Sequence, residues 1–214
     1  MMQTRVKICG ITRFEDARLA IELGAAALGF NFYPSSPRYI EPQAARAMIR
    51  KLPPFVTTVG IFADEIDAQG VISQARQAGV AAIQVHGPRF PAMDELMEDF
   101  TLVVAVAVRE GFLPEDLSKI KANACLLDAF DSTLRGGTGK TFDWSIARAA
   151  KQYGPVILAG GLTPENVAQA VREVRPFAVD VANGVESAPA IKDPAKLRAF
   201  FAAVAEADRQ VADL

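Results

Sequence analysis

Apolar positions recur along this chain with two alternating spacings. Short, nearly unbroken runs of Val, Ile, Leu, Phe and Ala predict strands over residues 6–9, 27–32, 56–62, 82–85, 101–108, 124–129, 156–159 and 177–181. Strands without a polar face are those buried on both sides. Between them the period changes to that of a helix. Phe14, Ala17, Leu19, Ala20 and Leu23 mark a stripe over 13–23 that Gly24 ends. Further helices are predicted over 42–51, up to residue 78 before Gly79, over 93–98 and 144–153, after Thr163-Pro164-Glu165, and from Asp193 to about Arg209. A shorter, poorer one is predicted over 114–121. Asp143, Thr163 and Asp193 are the expected caps, since an oxygen there can accept from the open N–H groups of a first turn. Eight strand-then-helix units without a linker imply a parallel sheet covered by helices. Eight units in 214 residues fit a compact single (β/α)8 barrel, one domain over 1–214. Periodicity does not show closure, so an open doubly wound sheet is the alternative.

Composition narrows the function. Half of the residues are hydrophobic, 22% are charged and the formal charge is −2. No Lys/Arg cluster offers nucleic acid or a membrane surface a footprint. The longest apolar run, 100–108, is far short of the roughly 20 residues a span needs. The first ten residues hold no apolar core of a secretory signal. Two cysteines, Cys9 and Cys125, make no disulfide framework and no C-x-x-C pair. A cytoplasmic protein acting on a small molecule is expected, as a monomer, with a homodimer as the alternative.

Polar and glycine residues gather where predicted strands end: Cys9, Asn31, Asp64, His86, Asp128, Gly160-Gly161, and Asp180 with Asn183. In barrels of this class ligands bind at that end. Alternation puts Lys7 and Cys9 on one face of the first strand and Val6 and Ile8 on the other. Cys9 can be a nucleophile, a general base or a small buried apolar residue, and Lys7 is the cation expected to favour its thiolate. Cys125 alternates away from Asp128 and is expected to face the helices. Asp128 caps a loop or, with its pKa raised by burial, serves as an acid near neutrality. The long, proline-held loop after the second strand aims Arg38 at a carboxylate or into solvent. Gly160-Gly161 and Asn183-Gly184 follow the seventh and eighth strands, where backbone N–H groups commonly hold phosphate in this fold. The run around Gly137, from Gly136 to Lys140, looks like a nucleotide-binding loop, but Leu134 stands where that motif needs glycine. It is read as an active-site loop. His86 is the only histidine, so no second one can join it in a metal set; a Ser-His-Asp triad would have to use it, and no serine sits in a nucleophile-elbow pattern.

The segments Lys7-Ile8-Cys9-Gly10-Ile11-Thr12, Ser36-Pro37-Arg38-Tyr39-Ile40, Gln84-Val85-His86-Gly87, Leu126-Leu127-Asp128, residues 136–144, Leu158-Ala159-Gly160-Gly161-Leu162 and Asp180-Val181 through Glu186 occur in order. Taken together, over 5–193, the chain resembles the phosphoribosylanthranilate isomerase family of tryptophan biosynthesis. The resemblance implies a (β/α)8 barrel that performs an Amadori rearrangement without a cofactor or metal. It makes the residue matching Asp128 the general acid, Cys9 the general base and Arg38 the holder of the anthranilate carboxylate. The loops with Gly160, Gly161, Asn183 and Gly184 would hold phosphate, and His86, Gly137 and Asp180 would complete the substrate site. One departure is plain: Ala182 and Asn183 stand where the family usually has two serines. A dual-substrate sugar-phosphate barrel is a competing reading, although such barrels usually place an aspartate at the position of Cys9. A catalytically silent phosphate binder is another.

Overall fold

The computed structural model describes residues 3–63, 67–86, 93–129 and 142–212. Eight parallel strands close into a barrel in chain order: β1 (Arg5–Ile8), β2 (Ala27–Asn31), β3 (Thr57–Phe62), β4 (Ala82–His86), β5 (Thr101–Val108), β6 (Ala124–Ala129), β7 (Val156–Leu158) and β8 (Ala178–Val181). Closure is the β1 to β8 ladder, in which Lys7 lies opposite Asp180 and Ile8 opposite Val181. The closed barrel holds over the open sheet. The crossovers carry α1 (Phe14–Glu22), α2 (Pro42–Ile49), α3 (Ala68–Ala78), α4 (Met93–Asp99), α5 (Trp144–Ala150), α6 (Val167–Val174) and α7 (Pro194–Ala212).

Alternation sorts each strand between two environments. Val6, Ile8, Leu28, Phe30, Ile83, Val85, Leu102, Val104, Leu127, Leu158 and Val179 pack outward, into the main core beneath the helices. Val103, Ala105, Ala124, Leu126, Ile157, Ala159 and Ala178 form a second, smaller cluster inside the barrel. The inner face is not wholly apolar, because Lys7, Gln84 and Asp180 are also buried.

Some boundaries differ from expectation for local reasons. Asp143 caps α5 by accepting from Ser145 N, and Asp193 accepts from Ala195 N and Lys196 N, as expected of both. The helix predicted over 144–153 tightens into a 3-10 turn, Lys151–Tyr153, and the one predicted over 114–121 is a 3-10 helix, Pro114–Lys119. Thr163 accepts only weakly from Glu165 N, at 3.3 Å. The regular helix begins three residues beyond Pro164, because the Asn166 side chain braces the loop, accepting from Thr163 N and donating to Gly161 O, each at 2.8 Å. An antiparallel pair absent from the prediction follows β8: β9 (Glu186–Ala188) with β10 (Ile191–Lys192).

Candidate active site

Cys9 lies one residue beyond β1, and its N–H donates to Val181 O at 2.9 Å, so the ladder with β8 extends to it. Its side chain therefore shares the inner face with Lys7. Room for it comes from β2: a Cβ on Gly29 would sit 3.3 Å from Cys9 Sγ and 3.2 Å from its Cα. Glycine within a strand often marks such a close approach. Burial pushes the thiol above its ordinary value; Lys7 pulls the other way, Asp180 adds to the rise, and Lys192 and Arg38 oppose it. The help expected from Lys7 is thus shared. Its ammonium donates to Asp180 Oδ1 at 2.8 Å, and despite burial Asp180 and Cys9 hold Lys7 above the usual lysine value. The thiol is protonated near neutrality.

Asp128 extends from the same side of β6 as Ala124 and Leu126, toward the barrel interior. Burial pushes its carboxyl up to about 6 and the Asp180 carboxylate adds to this, while the Ala129 N–H and Lys7 act in the opposite sense. A glycine makes room here too. Gly160 has φ of 81°, which disfavours other residues, and a Cβ on it would lie 2.7 Å from Asp128 Oδ1 and 2.2 Å from Ala129 N. Cys125 faces outward against the main core, as alternation predicts, and burial alone raises its thiol to about 11.

Arg38 bends back from the loop after β2. Its stem crosses Gly10, where a Cβ would come within 2.4 Å of Arg38 Cδ. Its Nε and Nη2 then meet Glu186 Oε1 and Oε2 at 2.8 and 2.7 Å, a bidentate pair. Of its five N–H donors that pairing uses two.

The loops after β7 and β8 interlock. A Cβ on Gly184 would fall 1.9 Å from Leu162 O, so these backbones touch. Gly161 has φ of 66°, and Asn183 opens a short 3-10 turn, Asn183–Val185. His86 ends β4, and the Gln84 side-chain amide faces His86 Nε2 at 3.2 Å, the direction of that contact being set by the tautomer of the ring. Gly137 with the rest of the Gly136 to Lys140 run, Asp64 and Gly87 lie outside the described residues.

The structure thus brings Cys9, Arg38, Asp128, Gly160 and Asp180 to one end of the barrel. It adds residues that the sequence reading did not single out. Gly10 and Gly29 mould the arginine and the thiol, Glu186 holds the arginine, and Lys192 holds Glu186. For Gly10 the signal was its place just past β1 and for Gly29 its place within β2; Glu186 only closed the segment that begins at Asp180, and Lys192 had no signal, because two- and three-residue strands carry no period.

What this mouth offers is proton chemistry: a carboxyl titrating near 6, a thiol, and an arginine already aimed. The fold defines a (β/α)8 barrel with ionisable groups gathered at the carboxyl ends of its strands, where enzymes of this fold bind their substrates. The family model described as "N-(5'phosphoribosyl)anthranilate (PRA) isomerase" matches residues 6–203. The N-(5'-phosphoribosyl)anthranilate isomerase of Citrifermentans bemidjiense is 50% identical over 200 residues, covering 93% of this chain and 96% of its own. Among solved structures, phosphoribosyl anthranilate isomerase from Thermotoga maritima is similar with a TM-score of 0.87 and 39% identity, covering 95% of this chain and all of that one. The Thermus thermophilus enzyme gives 0.85 and 39%, over 95% and 99%. The chain belongs to the phosphoribosylanthranilate isomerase family.

Proposed function

We propose that this chain catalyses the Amadori rearrangement of N-(5-phosphoribosyl)anthranilate to 1-(2-carboxyphenylamino)-1-deoxyribulose 5-phosphate in tryptophan biosynthesis, with residues 1–214 as one catalytic domain. The observation that carries the proposal is the inner-face pair, a carboxyl raised to about 6 on β6 and a thiol at the end of β1. Asp128, protonated, gives its proton to the ribose ring oxygen. The C1–O bond breaks and a Schiff base with the anthranilate nitrogen remains. Cys9 as thiolate removes the proton from C2, and the resulting enolamine becomes the ketose when C1 gains a proton. No atom is lost and nothing is oxidised overall, so acid–base groups suffice without cofactor or metal.

In this reading Arg38 holds the anthranilate carboxylate. The interlocked loops of Gly160, Gly161, Asn183 and Gly184 take the phosphate through backbone N–H groups, with Ala182 and Asn183 supplying no hydroxyl. His86, Gly137 and Asp180 complete the substrate site. A solved relative of 37% identity and TM-score 0.83 holds the reduced form of the corresponding product, which supports a sugar-phosphate ligand for this fold. A cytoplasmic setting belongs to the proposal because both cysteines are free thiols. A single chain supplies every group named, which supports a monomer. One feature favours the homodimer: Phe55 is fully exposed and is held at φ of 70°. One solved relative is described as dimeric, and sedimentation velocity decides between the two states for this chain.

The test is turnover of freshly generated phosphoribosylanthranilate, followed by its fluorescence, for the parent, Cys9→Ala and Asp128→Ala. An active parent and two crippled variants are expected. A folded but inactive parent would refute the enzyme reading.

A further inference from the structure

The short hairpin after β8 does something the barrel alone does not explain. Its two strands place Lys192 opposite Glu186. The Lys192 side chain has no exposed surface; burial lowers its pKa from the usual lysine value, and the Glu186 carboxylate opposes that. An ammonium has three donors, and here each has an acceptor: Cys9 O at 2.6 Å, Ala182 O at 3.1 Å and Glu186 Oε1 at 2.8 Å. Glu186 passes the connection on, gripping Arg38 through both oxygens. Lys192 thereby joins three pieces of chain at the mouth: the end of β1, the end of β8 and the loop after β2.

The hairpin that carries these groups is itself fastened. Lys192 N donates to Asp16 Oδ2 at 3.1 Å, Thr12 Oγ1 to Ala190 O at 2.8 Å, and Lys196 Nζ to Glu186 O at 2.8 Å. Stability is a poor reason for such an arrangement, because buried ion pairs are often replaced by apolar residues at no cost. Position is a better one. The two carbonyls that Lys192 bridges belong to the residues just past the last paired positions, Ile8 and Val181. One of them is the carbonyl of Cys9.

We propose that Lys192 and Glu186 are positioning residues of the isomerisation, the ammonium fixing the Cys9 backbone against β8 and the carboxylate fixing the Arg38 guanidinium, so that base and substrate-carboxylate holder keep one spacing. This rests on the roles given to Cys9 and Arg38 in the proposed function.

The experiment compares the parent with Lys192→Met, Glu186→Gln and the double variant, which removes both opposite charges together and remains informative if a single variant fails to fold. Two readouts are taken: kcat and KM on phosphoribosylanthranilate, and the rate at which iodoacetamide alkylates Cys9, followed by peptide mass spectrometry from pH 7 to 11. The charged groups facing Cys9 are Lys7 on β1, Asp180 on β8, Arg38 after β2 and Lys192 on β10. Losing Lys192 is expected to lower kcat at least tenfold and to move Cys9 alkylation to higher pH. Glu186→Gln is expected to raise KM at least tenfold while kcat falls less than threefold, and the double variant should show both defects. Folded variants with kcat, KM and alkylation profile within twofold of the parent would overturn the proposal, as would a lowered melting temperature with unchanged kinetics. An inactive parent strikes the isomerase reading instead, and the alkylation profile still tests the clamp on Cys9.

Discussion

Cys9 and Cys125 compare the two faces of one sheet. Cys9 sits one residue past β1 and Cys125 within β6, both at intermediate depth, and burial raises both thiols. Around Cys125 the neighbours are Leu117, Ile120, Ala122, Ala124 and Val156, and no charge opposes the rise. Around Cys9 three cations and one carboxylate act in both directions. Depth is therefore not what separates the surroundings of the two thiols here. The direction set by strand alternation is, because the outer face meets helices and the inner face meets the ends of the other strands.

The largest expected effect tests that contrast directly. Cys9→Ala should lower kcat about 10² to 10⁴-fold, the range of a lost general base, whereas Cys125→Ala should leave kcat within about twofold. Equal losses from the two substitutions would erase the distinction between the faces. Gly160→Ala sharpens it from the acid side. The added methyl meets Ala129 N and the Asp128 carboxylate at a φ that disfavours alanine. A stability loss of roughly 2 to 4 kcal/mol in a denaturant titration, with a fall in kcat, is expected. Gly29→Ala, whose methyl meets Cys9 and the end of the Ile61 side chain, should be milder on stability and still reduce kcat.

The pH profile comes next. The proposed mechanism needs Asp128 protonated and Cys9 ionised, although the carboxyl titrates near 6 and the thiol above its ordinary value. Between those values each loss of protonated acid is matched by an equal gain of thiolate. kcat/KM should therefore be level from about pH 6 into the alkaline range and fall about tenfold per unit below it. A fall beginning at pH 7 on the alkaline side would show that the thiol is not the base.

A smaller effect concerns stability. The folded value of Asp128, about 6, lies above the ordinary 3.8, so folding disfavours its charged form. That penalty is full above about pH 6 and vanishes as pH falls through 3.8. Asp128→Asn should thus stabilise the protein by about 1 to 2 kcal/mol at pH 8 and by almost nothing at pH 4. Smallest of all, Cys125→Ala should cost about 1 kcal/mol, for a partly buried sulfur lost from the outer face.

Much of this was readable in the chain because period 2 fixes which way a side chain points. Once 6–9 and 124–129 read as strands, Cys9 and Asp128 could be given a shared face and Cys125 the other. Lys7 does favour the thiolate, as alternation suggested, but nothing in sequence shows that Asp180, 173 residues away, takes its ammonium or that Lys192 and Arg38 share the task. Gly10 and Gly29 could not be given roles, because a missing side chain announces no neighbour. Glu186 and Lys192 were unreadable for a different reason: their strands are two and three residues long, and their partners come from β1, β8 and the loop after β2.

The ion pair of Lys7 with Asp180 also bears on how the chain reaches this state. Before the ring closes, a sheet grown in chain order has two open margins, β1 and β8, each ready to recruit a stranger. Each margin carries a buried charge, Lys7 on one and Asp180 on the other. A neighbouring molecule offering an apolar strand to either margin must strip water from a lone charge, and only the chain's own opposite margin compensates it in register. Pairing of the chain's own two margins is thereby favoured over pairing with a stranger, by the same two side chains that share the electrostatic surroundings of the thiol.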